Sequence, residues 1–286
     1  WAYMGSLAKQ PPFPNFEWTL VPSENRSLVK VREECNFLQA IEGAVDTSHG
    51  DILQQGAILN GPEDTGFNRP TKDIQPRIHM QPTAYGFRYG SIRTHISEPE
   101  RLQYLRIMTF VMPVHCLMTS GELAQIFVPI DDDHTWNFNF SYSKEKPIDR
   151  ERHRRQRRHV VGEDMNADGT RIPTMANRFM QDRDSMRARK SWAGMEGGPN
   201  RDMAMQESMG RIKDRAEEHL GESDYGVVYL RQYLLDALRA NLAGGDPPGT
   251  ASSVDYSTLR GIETVAPVDV PWEQAQPRAR SSDGSR

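Results

Sequence analysis

The stretch Asn36-Phe-Leu-Gln-Ala-Ile-Glu42-Gly-Ala-Val-Asp46-Thr-Ser-His49-Gly-Asp-Ile-Leu-Gln54 sets the reading of this chain. Leu38, Ile41 and Val45 recur at three- and four-residue steps, the spacing of one buried helix face, and Glu42, Asp46 and His49 follow beside them. The pattern predicts one apolar helix that aims an acid and an imidazole inward. Burying such groups is unfavourable unless they are paired, hydrogen-bonded or bound to a metal. The ordinary reading of Asp46 and His49 is a satisfied ion pair near a helix end; the other is half of a metal site.

A second segment favours the metal reading. In Pro199-Asn-Arg-Asp202-Met-Ala-Met-Gln-Glu207-Ser-Met-Gly210, continuing to Leu220, an apolar stripe is read through Met205, Met209, Ile212, Ala216 and Leu220, with Asp202 one turn before it on the same face. A distant Asp joining histidines from another segment is how a two-histidine, one-carboxylate iron site is assembled, with positions left open for oxygen.

On these residues the chain resembles the catalytic portion of Rieske-type non-haem iron ring oxygenases, in the phthalate 4,5-dioxygenase-like branch related to vanillate demethylase and dicamba monooxygenase. The matching positions are Asn36, Glu42, Gly43, Asp46, His49, Asp202 and Glu207 through Gly210. Trp1-Ala-Tyr-Met-Gly5, Tyr85-Gly-Phe-Arg-Tyr-Gly90, Pro129-Ile-Asp-Asp-Asp133, the stretch from Asn177 to Arg183 and Asp214-Arg-Ala-Glu-Glu-His-Leu-Gly221 extend the likeness to about Leu242.

The resemblance implies an α+β domain of the helix-grip type (START/Bet v1-like), an antiparallel sheet curved around a long C-terminal helix with the substrate cavity between them. It implies a mononuclear Fe(II) held by His49 and Asp202, with Gln54 standing where the family has its second histidine. Asp46 would be the acid that carries electrons from a neighbouring subunit's cluster to the iron-binding histidine. Asn36 would line the site, and Glu42 would support the subunit boundary. The reaction implied is hydroxylation or oxidative demethylation of an aromatic, often carboxylated, substrate with O2. Electrons would come from NAD(P)H through a flavin/iron-sulfur reductase and a 2Fe-2S cluster, in a homotrimer or hexamer.

A Rieske cluster needs two Cys and two His in paired segments. The only cysteines here are Cys35 and Cys116, and neither has a histidine in those registers. The cluster is therefore expected on an N-terminal domain preceding this chain, which opens on Trp1. Three readings of Gln54 stay open: a working His/Gln/Asp site, an impaired site, or a site completed by His79 or His95. The alternative function is a repurposed helix-grip domain that binds hydrophobic or aromatic small molecules.

The 286 residues suit one large catalytic domain, and a formal net charge of -4 argues against a general nucleic-acid binder. Two separated cysteines suit a reducing, cytoplasmic setting. No apolar run approaches the length of a membrane span. Residues 1–26 read as an extended lead-in, because Pro11-Pro-Phe-Pro14 excludes helix, and Glu17-Trp-Thr-Leu20 is read with it. Residues 27–243 read as the catalytic domain and 244–286 as a partly disordered extension. The Gly- and Pro-rich span from Gln54 to Asp73 reads as a long loop crossing the site, a lid.

Strands are expected at Ser27 to Glu33, Ile78 to Pro82, Tyr85 to Thr94, Leu102 to Val114, Ala124 to Pro129 and Trp136 to Tyr142, and helix from Arg201 to Ala243 with a break near Gly221. The charge run from Asp149 to His159 is expected to be a solvated helix face or an inter-subunit contact. Of Arg88 and Arg93, at odd separation on one strand, at most one can face a cavity and clamp a carboxylate. Met108, Phe110, Met112, Phe127 and Phe138 are candidate lining, with ordinary core as the alternative.

Overall fold

A computed structural model of the chain describes residues 7–54, 69–71, 73–119, 122–246, 248–250 and 254–277. The architecture is α+β. Eight antiparallel strands form one sheet: β1 (Arg26–Glu33), β2 (Arg77–Thr83), β3 (Gly86–Thr94), β4 (Leu102–Val111), β5 (His115–Leu117), β6 (Leu123–Pro129), β7 (Thr135–Tyr142) and β8 (Ile262–Pro267). The order is β1-β7-β6-β5-β4-β3-β2, with β8 paired to β4 off this path. The strand expected from Leu102 to Val114 ends at Val111, and the turn carrying Met112-Pro113 starts β5. The three-residue β5 covers only Thr109 to Val111, and β8 pairs with Leu102 to Ile107 on the same strand. An edge that would expose unpaired backbone groups is thereby closed.

Part of the stretch expected as a C-terminal extension is thus a sheet strand, and Trp272 after it is buried against Ile92, Leu105 and Ile107. The expected lid falls mostly at residues 55–68 and lies outside the described residues. No helix among the described residues is long and apolar enough to cross a membrane.

Seven α-helices are described: α1 (Glu17–Leu20), α2 (Phe37–Val45), α3 (His49–Ile52), α4 (Arg150–Arg157), α5 (Arg183–Arg187), α6 (Gly198–Ser208) and α7 (Tyr225–Leu242). Alternation divides the sheet side chains between two faces. Phe87, Tyr89, Met108, Phe110 and Phe127 face α2 and α7, where Leu230 is fully buried and Tyr229 and Tyr233 pack edge-on to Phe87. Each such side chain contributes roughly 1.5–3 kcal/mol of burial. The opposite face is covered by the lead-in: Phe16 and Trp18 stack at 4.3 Å, and the Tyr142 hydroxyl donates to Glu17 at 2.7 Å. Glu17 to Leu20 is therefore one turn of helix docked on the sheet, where an extended segment was expected.

The expected helix from Arg201 to Ala243 is two helices separated by residues 209–224, a longer break than one near Gly221. Gly210, at φ +93°, takes the chain out of α6. The expected stripe is also wrong. Met205, Met209, Ile212 and Leu220 are exposed, and α6 buries Met203, Ala204, Gln206 and Glu207 instead. Its buried face is half polar because its partners are polar: Arg171 pairs with Glu207 at 3.1 Å, and Gln39 of α2 donates to the carbonyls of Gln206 and Gly210. Gly43 allows this approach, since a Cβ there would lie 2.1 Å from the Gln206 amide nitrogen.

Candidate metal centre

Asn36 starts α2 by accepting a hydrogen bond from the Leu38 amide, and Ala40, Ile41 and Val45 bury the apolar face. The single helix expected through His49 stops at Val45. Asp46 is extended, at φ -65° and ψ 124°, and its carboxylate accepts from the amides of Ser48 and His49. It thereby opens α3 and sets His49 on the first turn of that helix. The imidazole is held twice: Nδ1 lies 3.1 Å from Asp46 Oδ2, and Nε2 lies 3.4 Å from Asp202 Oδ1. Burial alone would lower the histidine pKa, but hydrogen bonds and charge from Asp202 and Asp46 raise it to about 10.

Gln54, 4% exposed, completes the group. Its Nε2 donates to Asp202 Oδ1 at 2.8 Å, and its Oε1 accepts from Arg201 Nη1 at 2.8 Å. The structure thus brings Asp46, His49, Gln54 and Asp202 together. Asn36 it does not: its side chain donates to the Asp132 carbonyl at the far end of α2. Glu42, expected at a subunit boundary, has both oxygens engaged within the chain, by Arg231 at 2.7 Å and Arg215 at 2.8 Å.

His79 packs near Trp272, and His95 accepts from the amides of Ser97 and Glu98. Neither borders the cavity, so neither completes the site. Among the described residues no three His, Cys, Asp or Glu side chains are arranged to hold an ion. An imidazole nitrogen and a carboxylate oxygen converging at 3.4 Å nevertheless suit a divalent cation, because both can bind one in cis. Gln54 occupies the third place, and its amide oxygen becomes a donor when the two ends of the amide exchange and the Arg201 bond is given up. The residues therefore fit a mononuclear iron as two strong donors and one weak one.

These side chains border a cavity of about 340 Å³ between the sheet and helices α2 and α6. Met108 and Phe127 line it as expected, whereas Phe110, Met112 and Phe138 belong to the packed clusters. Arg88 reaches outward to Gln81 and Glu273, and the fully buried Arg93 donates to Ser91, so neither lines the cavity. The arginines that do are Arg69, Arg106 and Arg157. Arg106 is steadied by Thr47 and Thr119 at 3.1 and 3.0 Å.

Arg157 ends α4 within the charge run. Most of that run is a solvated helix face, but Arg157 and the 3%-exposed His159 turn inward, and burial lowers the pKa of both. Glu33, fully buried on β1, also lines the cavity, and burial pushes its carboxyl up to about 7. Its signal in the sequence is an acid on the inward parity of Val29 and Val31.

A family profile described as LigXa C-terminal domain like matches residues 2–285. The chain belongs to this family. The phthalate 4,5-dioxygenase oxygenase subunit of Pseudomonas putida is 34% identical over 288 residues, covering 97% of this chain and 65% of that protein. The 3-chlorobenzoate-3,4-dioxygenase oxygenase subunit of Comamonas testosteroni is 30% identical over 295 residues, covering 96% of this chain and 67% of that protein. The chain thus spans about two thirds of the length of these relatives. It falls in the phthalate 4,5-dioxygenase-like branch of the Rieske-type oxygenase subunits. The solved structure of dicamba monooxygenase bound to dicamba superposes with a TM-score of 0.48 at 12% identity, covering 84% of this chain and 66% of that one.

Proposed function

We propose that this protein is the catalytic portion of an oxygenase that hydroxylates or oxidatively demethylates an aromatic carboxylate. One observation carries the reading: His49 and Asp202, from two separate helices, face each other at 3.4 Å on the wall of a cavity, with Asp46 behind the imidazole. His49 Nε2, Asp202 and the Gln54 amide oxygen would hold a mononuclear iron, whose chemistry when bound is the activation of dioxygen.

The chain's own residues do the rest. Asp46 accepts from His49 Nδ1 and so fixes the ring's orientation; with a cation in place of the Nε2 proton it would keep the remaining proton on Nδ1 and raise the basicity of Nε2 as a donor. By family likeness the same carboxylate would be the entry point for electrons from a 2Fe-2S cluster on a neighbouring subunit, fed from NAD(P)H by a separate reductase. That circuit requires a trimer or hexamer, in a reducing cytoplasm. Met108 and Phe127 give the ring an apolar bed, and Arg106 with Arg69 presents guanidinium groups to a carboxylate. The sheet wrapped on α7 is read as the helix-grip arrangement.

A second reading has its own observation. Arg201 holds the Gln54 oxygen away from Asp202, which favours a cavity that binds aromatics without iron. Metal titration separates the two. The oxygenase reading expects Fe(II), or Co(II) as its spectroscopic substitute, to bind stoichiometrically and to be lost in Asp202→Ala. No metal bound above background, with aromatic acids still bound, would overturn it.

A further inference from the structure

Across the inner face of the sheet runs a chain of buried amides. Gln125 Nε2 donates to Asn139 Oδ1 at 3.1 Å, Asn139 Nδ2 donates to Asn137 Oδ1 at 3.0 Å, and Asn137 Nδ2 donates to Glu33 Oε1 at 2.5 Å. The strand register explains it: Gln125 stands directly opposite Asn139, and Asn137 opposite Val31, on the face that Glu33 shares. Asn137, Asn139 and Glu33 are each 2% exposed or less. Every amide in this ladder points its donor towards Glu33, so Oε1 is committed as an acceptor. Oε2 is buried, has no hydrogen-bond partner among the described residues, and belongs to a side chain that lines the cavity.

A buried oxygen without a partner is costly, and a ligand atom is the natural way to satisfy one on a cavity wall. The charges around Glu33 decide what kind. Glu207 and Asp202 are anionic neighbours, and the cation among them, Arg171, is already paired with Glu207. Burial and these carboxylates disfavour the ionised form, while Asn137 and Arg171 oppose them. In the neutral carboxyl the proton sits on the oxygen that is not accepting, and that is Oε2. Glu33 then offers the cavity an O–H donor. Arg106, on β4, lines the same cavity as Glu33 on β1, so the two groups can meet different parts of one ligand.

Resting on the aromatic-carboxylate reading above, we propose that Glu33 is a ligand-binding residue that donates from Oε2 to an acceptor oxygen on the ring. The class preferred is then a benzoate bearing a hydroxyl, methoxy or carbonyl oxygen away from its carboxylate.

The test is equilibrium binding of benzoate, 3-methoxybenzoate and 4-methoxybenzoate to the metal-free protein by calorimetry, with no oxygen turnover required. At pH 6 at least one methoxybenzoate is expected to bind about 5- to 10-fold more tightly than benzoate. Glu33→Leu is expected to abolish that gain and leave benzoate affinity unchanged. Glu33→Gln, which keeps an N–H donor, is expected to retain most of it. Above pH about 7 the gain should shrink in wild type and persist in Glu33→Gln.

Benzoate binding with no oxygen-dependent gain, or a gain that survives Glu33→Leu, overturns the role of Glu33. Benzoate binding that ignores Arg106→Gln overturns the carboxylate reading and leaves the Glu33 comparison decisive on its own. Failure of all three probes to bind overturns both. Should Glu33→Leu not fold, a gain in Glu33→Gln that falls above pH 7 as in wild type overturns the proposal.

Discussion

Glu42 and Asp46 stand four residues apart at the end of α2, yet they end in opposite surroundings. Glu42 is clamped by Arg215 and Arg231, and Glu218 bridges the same two guanidinium groups at 2.7 Å each. Every charge in that cluster is matched, so it ties α2 to α7 and nothing more. Asp46 meets two amides and an imidazole whose other nitrogen faces a second carboxylate on a cavity wall. A buried carboxylate closed by arginines acts as a brace; one that reaches the cavity through a histidine is placed to influence what binds there.

The largest effect is expected on the brace. Glu42→Ala leaves two guanidinium groups with Glu218 as their one shared acid and is expected to cost about 3 kcal/mol of stability, the lower end for breaking such a pair because both arginines are partly solvated and keep Glu218. Chemical denaturation measures it, and Co(II) affinity of the folded protein should be unchanged. Asp202→Ala should do the reverse: Co(II) affinity falls on the order of 100-fold while stability shifts by less than about 1 kcal/mol.

Next, Asp46→Asn, which keeps an acceptor for the α3 amides but not the charge behind the imidazole, should weaken Co(II) about 10-fold. The smallest effect is in pH. Burial would raise the Asp46 pKa, but hydrogen bonds and charge from His49, with the Ser48 and His49 amides, lower it beneath the ordinary aspartate value. A depressed carboxylate contributes stability above its unfolded pKa and loses it as pH falls through the folded one. The stability difference between wild type and Asp46→Asn should be constant above pH about 5, shrink below about 4, and stay under about 1 kcal/mol. A difference independent of pH would place Asp46 with Glu42 as a brace.

What the sequence made legible follows from periodicity. Ile41 and Val45 could be placed on the buried face of α2, with Leu38 of the same stripe only half-buried, and the alternation of β3, β6 and β7 located their strands within a residue or two. Periodicity failed where the burying partner is polar. The Met205 to Leu220 stripe looks apolar but is exposed, while Gln206 and Glu207 are buried because Gln39 and Arg171 receive them. β8 was missed because Ile262 to Pro267 is short and gains its meaning only from the edge that β5 leaves open on β4. Arg106 and Glu33 were missed for a related reason, since a lone charge on a strand shows its parity but not the cavity it borders.

The sequence by itself, through helical spacing and family likeness, singled out the candidates: His49 and Asp202 as donors, Asp46 as the acid behind the imidazole, and Gln54 in place of a second histidine. Helical spacing and local capping are properties of a few consecutive residues. Only the tertiary structure decided that Arg201 turns the Gln54 oxygen away from Asp202 and that an amide ladder ending on Glu33 leaves one buried oxygen of this cavity-lining side chain without a partner among the described residues. Those outcomes depend on which polar groups meet across elements distant in the chain. The strength of a buried hydrogen bond or charge is set by the partner it meets and the water it loses, neither of which is written at its own position.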